Sequence, residues 1–245
     1  MHEMGDSMKS VSDVCEIYSG KPGVQEAFRT LRTNIQFSSV DKPIKTIVIT
    51  SALPAEGKTT VALAFGISMA DAGKKTLLLE MDCHRPMLGN GLNLRPKYNW
   101  MNVLCENISA AEAAAPTKIK NLYFMDVEPQ MAHIAEVIGS NKFSALMNEL
   151  KKEFDMVIFD TPPLGNFIEA AVLANRVDGT VLVIRPGRVD LKRERETITQ
   201  LKKANAWVLG VVLNGVKAGK YEYYRYYKPE RRGKRKKKES AQQPG

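Results

Sequence analysis

The order of hydrophobic segments predicts an α/β fold, a mostly parallel sheet with helices on both faces. Three observations carry this. The runs IKTIVITS at 44–51 and KTLLLEMD at 75–82, the latter centred on Leu77, Leu78 and Leu79, read as strands buried on both faces. Amphipathic segments of helical length separate such runs. Strand and helix then alternate along the chain, which places successive strands side by side through helical crossovers.

Taken in order, residues 1–20 lack periodicity and are expected to be a flexible arm. A helix is predicted over 24–37, with Ala27, Phe28, Leu31 and Ile35 on one stripe. Strand 44–51 leads through a Gly-containing turn to an apolar helix over 59–72, then to a second strand over 75–82. The region 87–120 is irregular, with short helical pieces at 101–106 and 110–115. Strands are predicted at 121–127, 156–160, 178–184 and 206–213. Helices are predicted at 140–153, 168–175 and 190–205, the first carrying Phe143, Leu146, Met147 and Leu150 on one face. The pattern stops after Val216. The expected organisation is therefore an arm (1–20), one folded domain (21–216) and a tail (217–245).

Composition narrows the function classes. No apolar run approaches the roughly 20 residues that a membrane-spanning helix requires. The N-terminus lacks the apolar stretch of a secretion signal. Cys15, Cys83 and Cys105 are scattered without metal-ligand spacing, which suits a reducing compartment, so a cytoplasmic location is expected. The net charge of +9 is concentrated: residues 228–239 hold eight Lys or Arg against two Glu, or six of those nine charges. The folded part is therefore not notably basic. Nucleic acid is not an expected partner, although a tyrosine-rich basic tail could in principle stack bases.

The segment Ala52-Leu-Pro54-Ala55-Glu56-Gly57-Lys58-Thr59-Thr60 lies between a predicted strand and a predicted helix and has the spacing of a P-loop. Backbone N–H groups in such a turn, followed by a helix N-terminus, wrap anionic phosphate oxygens. Lys58 is placed to reach the β- and γ-phosphates of ATP and Thr59 to ligate Mg²⁺. Ala52 stands at the first position, where the strict pattern has Gly; a turn without positive φ there tolerates it. The fold class is accordingly P-loop NTPase-like.

Two acidic elements accompany the loop. Val157-Ile-Phe-Asp160-Thr-Pro-Pro163 is a strand ending in a carboxylate at the sheet edge where α/β folds bind ligands, and Asp160 suits a Walker B role toward Mg²⁺. Leu77-Leu-Leu-Glu80-Met-Asp82-Cys-His84 sets two carboxylates at i and i+2, expected on one side of a strand that neighbours the P-loop strand. One could serve the metal and the other take a substrate proton.

These motifs together resemble the bacterial tyrosine kinases that work with capsule and exopolysaccharide synthesis, over about residues 24–227. Tyr221, Tyr223, Tyr224, Tyr226 and Tyr227 add to the likeness: five of the chain's eight tyrosines fall in seven positions. Glu26, Arg29 and Arg32 match the Glu-x-x-Arg-x-x-Arg motif that joins subunits into a ring in that family. The stretches 182–187 and 210–216 also match, with Asn214 where the base is contacted. The resemblance implies Asp82, Lys58, Glu80 and Asp160 as catalytic residues, with Thr59, Glu80 and Asp160 at the metal. Residues 54–60 and Asn214 would bind nucleotide, and the tyrosine cluster would accept phosphate between subunits. It implies as partners a homo-oligomeric ring, the cytosolic tail of a transmembrane activator that regulates chain length, and a cognate tyrosine phosphatase. The location would then be the inner face of the membrane. Glu80 and His84 depart from the family's Asp-x-Asp-x-Arg, Arg85 falls one place beyond, and Glu169 stands where Asp is common. Residues 128–140 lack the family's Gly- and Asn-Pro-rich version of that segment.

Two rival readings follow from these motifs. One is an assembly-only regulator that binds ATP. The other is a deviant Walker positioning ATPase, against which Leu53 stands at the place of the signature lysine.

Overall fold

The computed structural model describes residues 14, 18–39, 42–106 and 108–216. The five clustered tyrosines and the basic tail lie outside the described residues. Seven strands form one sheet in the order β3-β4-β2-β5-β1-β6-β7. They are β1 (Thr46–Ser51), β2 (Thr76–Glu80), β3 (Ala115–Pro116), β4 (Leu122–Met125), β5 (Met156–Asp160), β6 (Gly179–Ile184) and β7 (Val208–Leu213). All pairings are parallel except that of β3 with β4.

One correction follows at once. Strand β2 does not neighbour the P-loop strand β1, because β5 is inserted between them. Asp160 therefore stands between the P-loop and the Glu80 strand end, in register with Glu80.

Residues alternate along the strands between two cores, so the runs are apolar throughout. Ile47, Ile49, Leu78 and Ile158 face one side, packed against α1 (Pro22–Phe37) and α2 (Lys58–Asp71). Val48, Leu77, Leu79, Val157 and Phe159 face the other. There they meet α4 (Trp100–Cys105), α5 (Ala110–Ala113), α6 (Ile134–Gly139), α7 (Asn141–Glu153) and α8 (Glu169–Ala174). Helix α2 is apolar nearly all round because it is sandwiched between the sheet and α1. Ser140 caps α7 by accepting from the Phe143 N–H, and Asp190 caps α9 (Leu191–Lys203) by accepting from the Arg193 N–H. The predicted apolar face of α7 is the buried one.

Four local expectations differ from the structure. Strand β2 ends at Glu80, so Asp82 lies on the following loop rather than on a shared strand face. A short helix α3 (Leu88–Leu92) and the helix α6 occupy stretches with no clear period. Ala27 is exposed, and the inward stripe of α1 is Val24, Phe28, Leu31 and Ile35. Val14 and Tyr18, within the expected arm, are 3% and 6% exposed and belong to the core; the Tyr18 ring lies 6.1 Å from that of Phe28. Two apolar residues four apart meet a helix face together, a signal too short to register as periodicity.

Candidate active site

The site is built at the carboxyl edge of β1, β5 and β2, where three loops converge. The P-loop leaves β1 and enters α2 through Gly57, whose φ of 91° is left-handed. Only glycine fits there on a second ground, since an added Cβ would fall 2.0 Å from Asn214 Nδ2. Ala52 is not among the positive-φ residues; that conformation falls to Ala55, at 62°. The loop after β5 closes over its start: the Leu164 and Gly165 N–H groups donate to the Ser51 and Ala52 carbonyls at 2.8 and 3.1 Å.

Glu56 acts differently from its neighbours. Its carboxylate is fully buried and accepts from the Leu53 N–H at 2.7 Å and the Arg185 N–H at 3.1 Å, pinning the loop to the end of β6. Asn214 Nδ2 donates to the Glu56 carbonyl at 2.8 Å, so in this structure its amide braces the same loop. Pro54, Ala55 and Thr60 are exposed along the rim. A buried loop-bracing acid was not foreseen; its signal was an acid inside a phosphate loop, where negative charge is out of place unless its side chain turns away.

Lys58 Nζ lies 3.3 Å from Asp82 Oδ2, with the side chains 14% and 6% exposed. Burial works against the lysine's charge, but Asp160, Asp82 and Glu80 outweigh it and hold Lys58 above the usual lysine range. Asp82 Oδ1 also accepts from the Arg85 N–H at 2.9 Å. The Glu80 carboxylate is turned inward. Oε2 accepts from the Met87 and Leu88 N–H groups at 2.8 and 2.9 Å, and Oε1 from the Asp82 N–H at 3.1 Å. Glu80 thus holds the loop that carries Asp82 and caps α3. Burial, with Asp160 adjacent, pushes it up to about 8 despite those three donors.

Asp160 is the unusual group. Both its oxygens are buried, with no formed hydrogen bond among the described residues. Burial pushes it up to about 6, opposed by Lys58 and by the Thr59 hydroxyl beside it. An orphaned buried carboxylate is costly unless a cation or donor meets it. Thr59, 8% exposed in the first turn of α2, supplies a neutral oxygen beside it. Oxygen donors of this kind suit Mg²⁺, which takes one or two protein ligands and completes its shell with phosphates and water. The residues present fit that ion.

Glu26, Arg29 and Arg32 make different contacts within the chain. Arg29 and Glu26 form an exposed pair at 3.6 Å. Arg32 turns back and donates to the Ser68 carbonyl on α2 at 2.6 Å. The two departures at His84 and Glu169 meet: His84 Nε2 lies 3.0 Å from Glu169 Oε1.

Known proteins resemble this chain in sequence and fold. A family model described as an AAA domain matches residues 44–206. The tyrosine-protein kinase YwqD of Bacillus subtilis (strain 168) is 36% identical over 202 residues, covering 82% of this chain and 85% of its own length. The chain belongs to the bacterial tyrosine-kinase family. The chimerical protein CapA2B2 superposes with a TM-score of 0.78 at 28% identity, over 84% of this chain and 91% of its own. The bacterial tyrosine-kinase fold is shared more widely. The septum site-determining protein MinD of Pyrococcus horikoshii, solved with Mg-ADP, reaches a TM-score of 0.57 at 24% identity, over 69% of each chain. Among the described residues, no helix is long and apolar enough to cross a membrane.

Proposed function

We propose that this kinase transfers the γ-phosphoryl group of ATP to Tyr221, Tyr223, Tyr224, Tyr226 and Tyr227 of a neighbouring copy, and so regulates capsule or exopolysaccharide synthesis and export. The observation that carries this reading is the Lys58–Asp82 contact at 3.3 Å beside the orphaned Asp160. It supports a site in which one lysine, one base and one metal-holding carboxylate share a few ångströms.

The loop amides and Lys58 receive the β- and γ-phosphates, which draws the lysine away from Asp82. Asp82, released from that pair, accepts the phenol proton. The phenol oxygen forms a bond to the γ-phosphorus as the bond to the ADP oxygen breaks. A free phenol has a pKa near ~10, so a positioned base is needed for attack near neutral pH. Asp160 and Thr59 would hold Mg²⁺, with Glu80 behind them; bound there, the ion neutralises charge on the transferring phosphates. Asn214 would lie near the base. The product tyrosines gain nearly two negative charges each beside a basic tail, which weakens or re-aims association. A ring of subunits, an activator's cytosolic tail at the inner membrane face, and a phosphatase that resets the cluster complete the reading. The basic tail would add attraction to anionic lipid.

The test is Mg-ATP incubation of purified protein, alone and with the cytosolic tail of a cognate activator added, read by mass spectrometry of the C-terminal peptide. Phosphate on 221–227, lost in Lys58→Met and reduced at least about 100-fold in Asp82→Ala, is expected. ATP binding without any phosphate in either arm, activator tail included, would favour the assembly-only regulator instead.

A further inference from the structure

The loop 81–88 carries Asp82, and its inner side is fastened by Glu80 to backbone amides. Its outer side is fastened differently. The His84 ring stacks on Phe167, centroids 3.8 Å apart and planes 16° from parallel. The same ring reaches Glu169 at 3.0 Å, where the carboxyl side chain is 12% exposed. Phe167 follows Asp160 by seven residues on the loop after β5, and Glu169 opens α8. Cys83 lies among these groups: burial first, then Glu169 and Asp82, push its thiol up. His84 therefore ties the loop that bears Asp82 to the loop and helix that follow the strand ending in Asp160.

The geometry points to His84, Phe167 and Glu169 as a clamp that sets the gap between Asp82 and Asp160, and hence the path of the incoming phenol. These three are positioning residues; they act through Asp82 and are not placed on nucleotide. The inference rests on the kinase reading above. Strand ends β2 and β5 are already in register, Glu80 opposite Asp160. The loop beyond Glu80 is held on its inner side by the three amides that donate to Glu80 and by the Met81 N–H, which donates to the Asp160 carbonyl at 2.8 Å. A displacement of its outer side on the order of 1 Å costs about 100-fold in rate. A stacked ring fixes the loop's height over the sheet, while the carboxylate fixes its lateral position. Glu169 is one methylene longer than Asp, and His84 holds both contacts on a shorter arm than Arg would need.

Two measurements test the clamp. Hydrogen exchange of 81–88 in nucleotide-free protein should quicken in His84→Ala and in Glu169→Ala. Steady-state transfer to an added acceptor peptide spanning 217–230 should lose at least about tenfold in kcat in each variant, with KM for ATP changed less than about twofold. The double variant should be no worse than His84→Ala, which already removes both the Phe167 stack and the Glu169 contact. His84→Arg, which can still reach Glu169, should recover to within about threefold of wild type. An active wild type whose His84→Ala keeps its kcat and its exchange pattern overturns the clamp alone, and so do additive single losses. A wild type that transfers no phosphate overturns the kinase reading and the clamp's catalytic role with it.

Discussion

At Asp160 the molecule carries a carboxylate that folding alone does not favour. Both oxygens are buried and without a formed hydrogen bond among the described residues, and burial raises the group to about 6. Glu80, its partner across the strand pair, is raised to about 8. The sign follows from proton counting. Between about pH 4 and 8 the folded protein holds protons on these groups that the unfolded chain has released, so metal-free stability falls as pH rises through that window. Thermal melting without Mg²⁺ should show Tm dropping from pH 5 toward pH 8, and Mg-ADP should reverse it. Asp160→Asn, which keeps the shape and removes the charge, should stabilise the nucleotide-free protein at pH 8 by about 1–2 kcal/mol. The same variant should lose the extra stabilisation that Mg²⁺ adds to ADP. A variant that melts lower than wild type at pH 8 would mean that the Asp160 charge is matched by a partner in solution.

The P-loop shows how much an element owes to contacts made far along the chain. Its existence was legible in the sequence, because a buried strand, a Gly-Lys-Thr turn and an apolar helix are local signals. The strands and the α7 face were legible for the same reason. What holds the turn in shape was not. Glu56 meets Arg185 across more than a hundred residues, and Asn214 closes on Glu56 and Gly57 from the end of β7. Pairings at that separation leave no period or spacing to read. The insertion of β5 between β1 and β2 is hidden likewise, since strand order is set by crossovers and not by composition. Glu56→Ala should leave the Leu53 and Arg185 amides without their acceptor, at about 1–3 kcal/mol for each that stays buried. Calorimetric titration with Mg-ADP should show affinity falling at least tenfold, and Glu56→Gln, which keeps one acceptor oxygen, should fall in between. Unchanged affinity in Glu56→Ala would mean that the phosphates, on arrival, shape the loop unaided.

At the scale of the whole molecule the three residues of the expected ring motif make two kinds of contact. The sequence motif treats Glu26, Arg29 and Arg32 as one set. In the folded chain Arg29 and Glu26 are largely exposed, 58% and 66% by side chain, and form only a surface pair. Such a pair contributes about 0–1 kcal/mol to the fold, so its removal is cheap for the monomer. Arg32 is different, because its guanidinium donates to the Ser68 carbonyl at 2.6 Å and pins α1 to α2. A charged donor of this kind contributes about 1.5–3 kcal/mol. If α1 is the surface through which copies meet, Arg29→Ala should shift the protein to smaller species in multi-angle light scattering while leaving Tm within about 1 °C. Arg32→Ala should lower Tm by several degrees and disturb assembly only through the tilt of α1. The order matters for interpretation, since a double variant that falls apart would confuse a lost contact with a loosened helix. Arg29→Ala that assembles like wild type would remove α1 from the interface and leave Arg32 as a purely internal fastening.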